Sequence, residues 1–494
     1  MSPVTRPKTN GVELSHLAKL VSGEVSSEAK VFGITHDSRS VQPGDLYVAL
    51  LGANSHGIDF VDEAVKNGAV AIASDSHGAQ IAKQKGLPVI ELSNARKDMA
   101  TLAAGIYGNP EAKLVITGVT GTNGKTTTTH MLRSIFIDAG KSVGVIGTLG
   151  TYLGEAHLPG ARTTPESTDL YATLGLMVEQ GITHVFMEVS SHALALHRVD
   201  GIKFDVAIFT NLTQDHLDFH GSMESYFAAK ALLFTSEHAK QAVICTDDEW
   251  GMKLAEECKI PNTTVGQNGN WKTSEATSNS SGATTQQITI DNDAPISLSV
   301  NMLGSYNATN AACALIASQM LGLEVPATLD SLENVRPIPG RLENVSIASS
   351  GTAIVDYAHT PDAVQTVLTV IKDANPAKVI TVIGCGGDRD ALKRPLMGKV
   401  AAQLSDIVII TDDNPRSEDP ALIRSAILSG AQGLSAEVIE VADRRLAIAK
   451  ALGLATSGDV IAILGKGHET GQEVAGQVFP FDDRVVVRQE SENV

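Results

Sequence analysis

Short apolar runs alternate with amphipathic stretches along the whole chain, and their grouping predicts three α/β units. In residues 1–110, LYVAL (46–50), AVAIA (69–73) and PVIEL (88–92) have strand length and composition. Residues 60–66 and 95–107 carry apolar positions at helical spacing, and Gly108-Asn109-Pro110 punctuates the end of this small mixed unit. In residues 111–338 the runs are KLVITGV (113–119), SVGVIG (142–147), THVFMEVS (183–190), DVAIFTNL (205–212) and QAVICT (241–246). Helical patterns separate several of them, which predicts a mostly parallel sheet covered by helices. The Ser/Thr/Asn-rich stretch 270–293 reads as a surface insertion or hairpin edge, and 306–322 as a helix packed on the core. The segment SLENVRPIPGRLENV (331–345) marks the next boundary. In residues 339–494, TAIVDYA (352–358), KVITVIG (378–384), DIVIIT (406–411), AEVIEV (436–441) and DVIAILG (459–465) predict another α/β unit. RVVVRQ (484–489) is expected to close its sheet as a last strand.

Composition agrees with this division. At roughly 150 residues per domain, 494 residues suggest three domains. A chain with 43% hydrophobic and 19% charged residues is not globally disordered. Thirty-eight basic against 56 acidic residues give a net charge of -18, which argues against a general nucleic-acid or anionic-membrane binder. A local cluster of amides and a lysine can still hold phosphate. Cys245, Cys258, Cys313 and Cys385 are far apart, so neither a disulfide scaffold nor a zinc knuckle is indicated. The N-terminal residues lack an apolar core of signal type, and no apolar run reaches about 18 residues. The expectation is a cytoplasmic, monomeric protein with no membrane insertion.

The strongest motif is GVTGTNGKT (118–126), between the run KLVIT and a helical pattern that holds Met131, Leu132, Ile135 and Phe136. Glycines allow close backbone approach, and the loop amides and helix N-terminus then face phosphate. Lys125 is placed for the β and γ phosphates, and Thr126 for Mg²⁺. GCGGDRD (384–390) has the wrong spacing for a dinucleotide fingerprint and reads equally as a strand-to-helix turn. Glu188 (MEVSSHAL) and His216 (NLTQDHLDFHG) end or follow predicted strands, where α/β sheets carry ligands. Both could converge with Thr126 on Mg²⁺, although a hard cation prefers oxygen. Asp215, Asp218 and His220 are alternatives, and spacing does not rank them. Lys230, in SMESYFAAKALLF, reads from composition as a solvent-facing helix lysine.

GTNGKTT, EVSSHAL, DHLDFHG, SYFAAK, GRLE, VDYAHTPD, GCGGDRD, DNPR and GKGHE occur in one order, and GITHDSRSVQPGDLYVAL precedes them. In this the chain resembles the Mur ligase family over nearly its whole length. The resemblance implies a UDP-substrate domain (1–110), a central P-loop ATPase domain (111–338) and a Rossmann-like C-terminal domain (339–494) that receives an amino acid. It implies amide-bond formation that consumes ATP through an acyl phosphate, with UDP-MurNAc-L-Ala-D-Glu as acceptor and Mg²⁺ as cofactor. Residue by residue, it implies ATP contacts at Gly121, Thr122, Asn123, Gly124, Lys125, Thr126, Thr127, Asn307, Arg341 and Asp356. It gives magnesium to Thr126, Glu188 and His216, and catalytic roles to Lys125, His216 and a carbamylated Lys230. UDP-MurNAc-dipeptide contacts fall on Ser38, Thr163, Thr164, Ser190 and Arg198. The DNPR motif marks relatives that add meso-diaminopimelate, with contacts at Arg389, Asp413, Asn414, Pro415, Arg416, Gly465 and Glu469. The physics agrees: this amino acid differs from lysine by a distal carboxylate, which an arginine binds bidentately.

Two positions depart from the family pattern. Thr470-Gly471-Gln472 follows GKGHE where relatives often have an aromatic residue before the glutamine, and Arg162 replaces an asparagine. Two other readings share the phosphate loop: a folylpolyglutamate synthase, which the N-terminal DSR segment and the DNPR/GKGHE pair disfavour, and a nucleotide-gated scaffold.

Overall fold

The computed structural model describes all residues except 1–5, 53, 161, 279–283, 291–294, 346, 348–350 and 494. Part of the polar stretch 270–293 therefore lies outside the described residues. Three sheets organise the chain. The N-terminal one has five strands, in the order Glu24–Val25, Val89–Glu91, Ala69–Ser74, Asp45–Ala49, Gly33–Thr35. Helix Ala95–Tyr107 has the span its periodicity predicts; Asn94 caps it by accepting from the Lys97 amide, and Gly108 ends it in a left-handed turn.

The central sheet has 12 strands, and the glycine-rich loop follows one of its middle strands. Val115–Thr120 pairs in parallel with His184–Glu188 on one side and Val206–Phe209 on the other. These strands are buried on both faces, which is why they read as continuous apolar runs rather than alternating ones. Val143–Gly147, Gly150–Leu153 and Ala156–Leu158 continue one edge, the last two pairings antiparallel. At the other edge Trp271–Thr273, Thr284–Ile290 and Ile296–Val300 form an antiparallel ribbon, the hairpin edge expected of the polar stretch. Helix Ser305–Met320 packs on helix Lys125–Asp138 over one face. On the other face, helix Ser167–Glu179 packs on Ala95–Tyr107, so one apolar cluster runs from Leu17 and Ala103 to Leu170 and Phe209.

The C-terminal sheet has six strands, in the order Glu343–Val345, Thr352–Asp356, Val460–Leu464, Val379–Ile383, Ile407–Ile410, Glu437–Glu440. RVVVRQ is not one of them. It lies in helix Asp483–Ser491, whose Val486 and Val487 are buried while Val485 is exposed. Three consecutive valines suggested a strand, but tertiary contacts override that propensity. Arg444 and Asp483, both fully buried, bond at 2.8 and 2.7 Å and pin the helix start to helix Arg444–Leu454. The strand that extends the sheet is instead Glu343–Val345, antiparallel to Thr352–Asp356.

Candidate active site

Strand Val115–Thr120 feeds the glycine-rich loop directly into helix Lys125–Asp138. Gly124 has φ +85°, and a Cβ there would lie 2.5 Å from Asn310 Oδ1, so the loop needs glycine at this point. Lys125 Nζ donates to the Gly121 and Thr122 carbonyls at 2.8 and 2.7 Å. Thr126 Oγ1 donates to Glu188 Oε1 at 2.9 Å and accepts from Arg341 Nη2 at 2.9 Å. Thr148 holds the same carboxylate, its amide donating to Oε1 at 2.8 Å and its hydroxyl to Oε2 at 3.0 Å. Sequence reasoning missed Thr148: it sits in the loop after a strand, with no motif around it.

A cavity of 420 Å³ opens over the loop residues 122–127. Glu188, His216 and Lys230 line one part of it, Asn307, Arg341 and Asp356 another, with Thr163 and Ser190 also on its wall. Asn307 Nδ2 donates to the Leu303 carbonyl at 2.7 Å. Asp356 accepts from the Leu342 and Ala358 amides at 2.7 and 2.8 Å, and burial pushes its carboxyl above the usual range. The C-terminal unit reaches the phosphate loop a second time through Asp362, which accepts from Asn123 Nδ2 and Thr213 Oγ1 at 3.2 Å each.

Lys230 is not solvent-facing. It is 1% exposed on helix Met223–Ala231, its Nζ 2.8 Å from the Gly121 carbonyl and 4.7 Å from the Tyr226 ring centroid. Burial, and then the nearby Lys125 charge, push its ammonium well below the ordinary lysine range. His216 sits in the left-handed region at φ +53°, with Nε2 3.3 Å from Asp215 Oδ2. Burial pushes its imidazole down to about 3, so it is neutral at physiological pH. Of the alternatives, Asp215 also lines the cavity, whereas His220 bonds Ser191 Oγ at 2.9 Å and stacks on Tyr226.

The donor set suits a hard divalent cation bound together with phosphate. Glu188 and Thr126 offer oxygens beside the loop, and His216 a neutral nitrogen. Among the described residues no group of three or more His, Cys, Asp or Glu forms a metal cage. Magnesium fits this, because it takes one or two carboxylates and completes its shell with substrate phosphates and water.

Beyond Glu188 a polar wall continues. Thr164 Oγ1 donates to the Glu188 carbonyl at 2.8 Å and accepts from the Ser190 amide at 3.0 Å. Arg198 Nη1 approaches the Thr164 carbonyl at 3.3 Å, and its Nη2 pairs with Glu166 at 2.8 Å. Arg162 and Arg96 join the same Glu166 carboxylate at 2.7 and 3.3 Å, so the unusual Arg162 is an ion-pair partner here. Ser38 lies apart, in the N-terminal unit, and donates to Glu63 Oε2 at 2.5 Å.

A second cluster forms after strand Ile407–Ile410. Asn414 Nδ2 donates to Glu469 Oε2 at 2.8 Å, and Lys466 Nζ reaches Asn414 Oδ1 and Glu469 Oε2 at 3.0 and 2.9 Å. Gly465 has φ +115°, and a Cβ there would lie 2.6 Å from Asp413 Oδ2. Arg416 Nη1 donates to the Gly387 carbonyl at 2.6 Å, and the same glycine packs on the Pro415 backbone. Arg389 is exposed and bonds only the Asp388 carbonyl, at 3.0 Å, among the described contacts. Lys466 and Glu473, absent from the expected set, complete the cluster; the Glu473 amide donates to Asn414 Oδ1 at 2.9 Å and its carboxylate lies 3.4 Å from Arg416 Nε. Lys466 stood in plain view inside GKGHE.

A glycine-rich phosphate loop, a carboxylate beside its threonine and a C-terminal α/β unit that docks an arginine onto it are the marks of a nucleotide-using enzyme. The comparisons give that class its family. Residues 119–318 match the Mur ligase middle domain, 340–467 the Mur ligase glutamate ligase domain, and 30–107 the Mur ligase family catalytic domain. A UDP-N-acetylmuramoyl-L-alanyl-D-glutamate–2,6-diaminopimelate ligase of Streptomyces avermitilis is 43% identical over 98% of this chain and 97% of its own. The protein of that name from Geobacillus thermodenitrificans is 41% identical over 93% and 94%. A solved structure with that name superposes with TM-score 0.66 at 31% identity, covering 97% of this chain and 98% of the other. A folylpolyglutamate synthase of Mycobacterium tuberculosis shares the fold alone, at 17% identity, TM-score 0.62 and 74% of this chain. The chain belongs to the Mur ligase family.

Proposed function

We infer that this chain is the ATP-dependent ligase that joins meso-diaminopimelate to UDP-MurNAc-L-Ala-D-Glu, a step of peptidoglycan precursor synthesis. The observation that carries the reading is one cavity in which the phosphate loop, Glu188 and Lys230 meet, with the Arg416 cluster in the adjoining C-terminal unit. No helix of the described residues is long and apolar enough to cross a membrane, which suits a nucleotide-linked substrate taken from solution.

A carboxylate is a poor electrophile at neutral pH. In the proposed sequence an oxygen of the D-glutamyl side-chain carboxylate attacks the γ phosphorus of ATP, and ADP leaves. The acyl phosphate then accepts the diaminopimelate amine at its carbonyl carbon. The tetrahedral species loses a proton from nitrogen and expels inorganic phosphate to give the amide. Negative charge develops in both steps, so cations aimed at it lower the barrier. Lys125 supplies one from the loop and Arg341 another from the C-terminal unit. Thr126, Glu188 and His216 are the residues that would hold Mg²⁺, which supplies charge neutralisation on the phosphates when bound. Asn307 and Asp356 are positioned for the nucleoside, Asp356 for the ribose hydroxyls. Thr163, Thr164, Ser190 and Arg198 face the muramoyl-peptide, and Ser38 the UDP end.

Lys230 has a specific part. In its neutral form the amine can add to CO₂ and release one proton to solvent, forming a carbamate whose negative charge lies behind the phosphate loop. The same burial that makes the ammonium costly makes the amine available.

The test is a phosphate-release assay. Release is expected only when ATP, UDP-MurNAc-L-Ala-D-Glu and meso-diaminopimelate are all present, with stoichiometric tripeptide nucleotide. Release that needs folate in place of the nucleotide substrate, or no ligation product at all, overturns the reading.

A further inference from the structure

Thr148 and Leu149 form the two-residue turn between strands Val143–Gly147 and Gly150–Leu153, whose antiparallel register pairs Gly147 with Gly150. The ladder holds this turn in place, and His157 Nε2 lies 2.7 Å from the Leu149 carbonyl. Gly147 leaves room for Glu188, because a Cβ there would run into Oε1. Glu188 is 1% exposed. Among the described residues its carboxylate accepts three hydrogen bonds, one from Thr126 and two from Thr148. The Thr126 oxygen would be shared with a bound cation, so Thr148 is the partner left to orient the carboxylate.

The Thr148 hydroxyl also lies 3.0 Å from Thr163 Oγ1, on the wall of the same cavity. Each threonine has one hydroxyl proton, and an ionised carboxylate only accepts. The Thr148 proton therefore goes to Glu188 Oε2, and the Thr163 proton goes to Thr148 Oγ1. This order leaves Thr163 Oγ1 with lone pairs and no proton to offer. Thr163 can take an N–H or O–H from a ligand, and cannot donate to a carbonyl or phosphate oxygen without breaking the relay.

We propose that Thr148 is a positioning residue for two substrates at once. Its hydroxyl orients the Glu188 carboxylate for the cation that accompanies the nucleotide, and it fixes Thr163 as a hydrogen-bond acceptor for an N–H or O–H of the muramoyl-peptide. This deepens the function inferred above and rests on it for the identity of the second ligand. Orienting a metal-binding group from behind is worth about 10- to 100-fold in metal affinity.

The experiment compares full-length parent, Thr148→Val and Thr148→Ser in two assays. The first needs neither acceptor nor turnover: Tm is followed with saturating ADP as Mg²⁺ is titrated, and the Mg²⁺ concentration at half of the metal-dependent gain is read. Valine keeps the shape and the backbone amide but has no hydroxyl. Its Mg²⁺ midpoint is expected to rise at least about tenfold, with the gain from ADP alone as in the parent. The second assay is phosphate release with ATP, Mg²⁺ and meso-diaminopimelate saturating. The KM for UDP-MurNAc-L-Ala-D-Glu should rise at least about fivefold in Thr148→Val, although Thr163 itself is intact. Thr148→Ser, which keeps the hydroxyl, should stay within about threefold of the parent in both assays. Thr148→Ala takes the place of valine if valine lowers the Tm without ligand, and the same shifts are expected. A Mg²⁺ midpoint within about threefold of the parent overturns the proposal. An unchanged acceptor KM overturns the relay, and an equal loss in Thr148→Ser makes the role one of packing. Absence of parent turnover would instead overturn the ligase reading, while the Mg²⁺ midpoint still decides what Thr148 does at Glu188.

Discussion

Arg341 Nη2 donates to Thr126 Oγ1 at 2.9 Å, across 215 positions of sequence, and so ties the C-terminal unit to the first turn of the phosphate-loop helix. The guanidinium also lies 4.8 Å from the Tyr357 ring centroid. Arg341 therefore carries charge to the ATP site only while the two units are docked. Arg341→Ala should raise the KM for ATP and lower kcat by roughly 10²-fold, the scale of losing one donor aimed at developing charge. Arg341→Lys should recover little, because lysine cannot reproduce both the ring contact and the hydroxyl bond. Steady-state kinetics with varied ATP checks this, and a variant within about threefold of the parent contradicts it.

Lys125→Ala is expected to lower kcat by roughly 10²- to 10³-fold while leaving the fold intact. Lys125 donates only to the Gly121 and Thr122 carbonyls of its own loop among the described contacts, so its loss removes no long-range tie. Near-normal turnover would remove Lys125 from the chemistry.

Lys230→Ala should be inactive, and short carboxylates such as formate or acetate should restore part of the activity by replacing the carbamate charge. Parent enzyme depleted of CO₂ should lose activity and regain it with bicarbonate. A fully active alanine variant contradicts the role.

Much of this arrangement could be read from the residues beforehand, for physical reasons that differ by element. Helix Ala95–Tyr107 has its cap, apolar face and terminal glycine within one local stretch. The phosphate loop was legible because glycine, lysine and threonine are required at fixed spacing between a strand and a helix. The burial of Lys230 was not, because the carbonyl it meets is 109 positions away. The helix at Asp483–Ser491 hid behind a valine run, since the buried Arg444–Asp483 pair that fixes it is a tertiary fact. Thr148 and Glu473 were invisible for the same reason: each matters through the residue it touches.

Acid should destabilise the protein through its buried histidines. Burial pushes His130 and His468 down to about 3 from an ordinary 6.5. Between those values the unfolded chain binds a proton that the folded chain does not, so stability is complete above about pH 6.5 and falls as pH drops towards 3. Each such group costs up to about 2 kcal/mol by pH 5. Urea unfolding of the parent at pH 7 and pH 5 should show a loss, and His130→Gln should reduce it by about one proton's share. Equal slopes in parent and variant contradict the assignment.

The measurement that bears most directly on the proposed function is the ratio of kcat/KM for meso-diaminopimelate to that for L-lysine, with ATP and UDP-MurNAc-L-Ala-D-Glu saturating. L-lysine offers the reacting amine but leaves Arg416 without a carboxylate from the substrate. The expected ratio is at least about 100, with Arg416→Ala erasing most of it by losing the diaminopimelate reaction. Comparable kcat/KM for the two amino acids in the parent enzyme would contradict the reading.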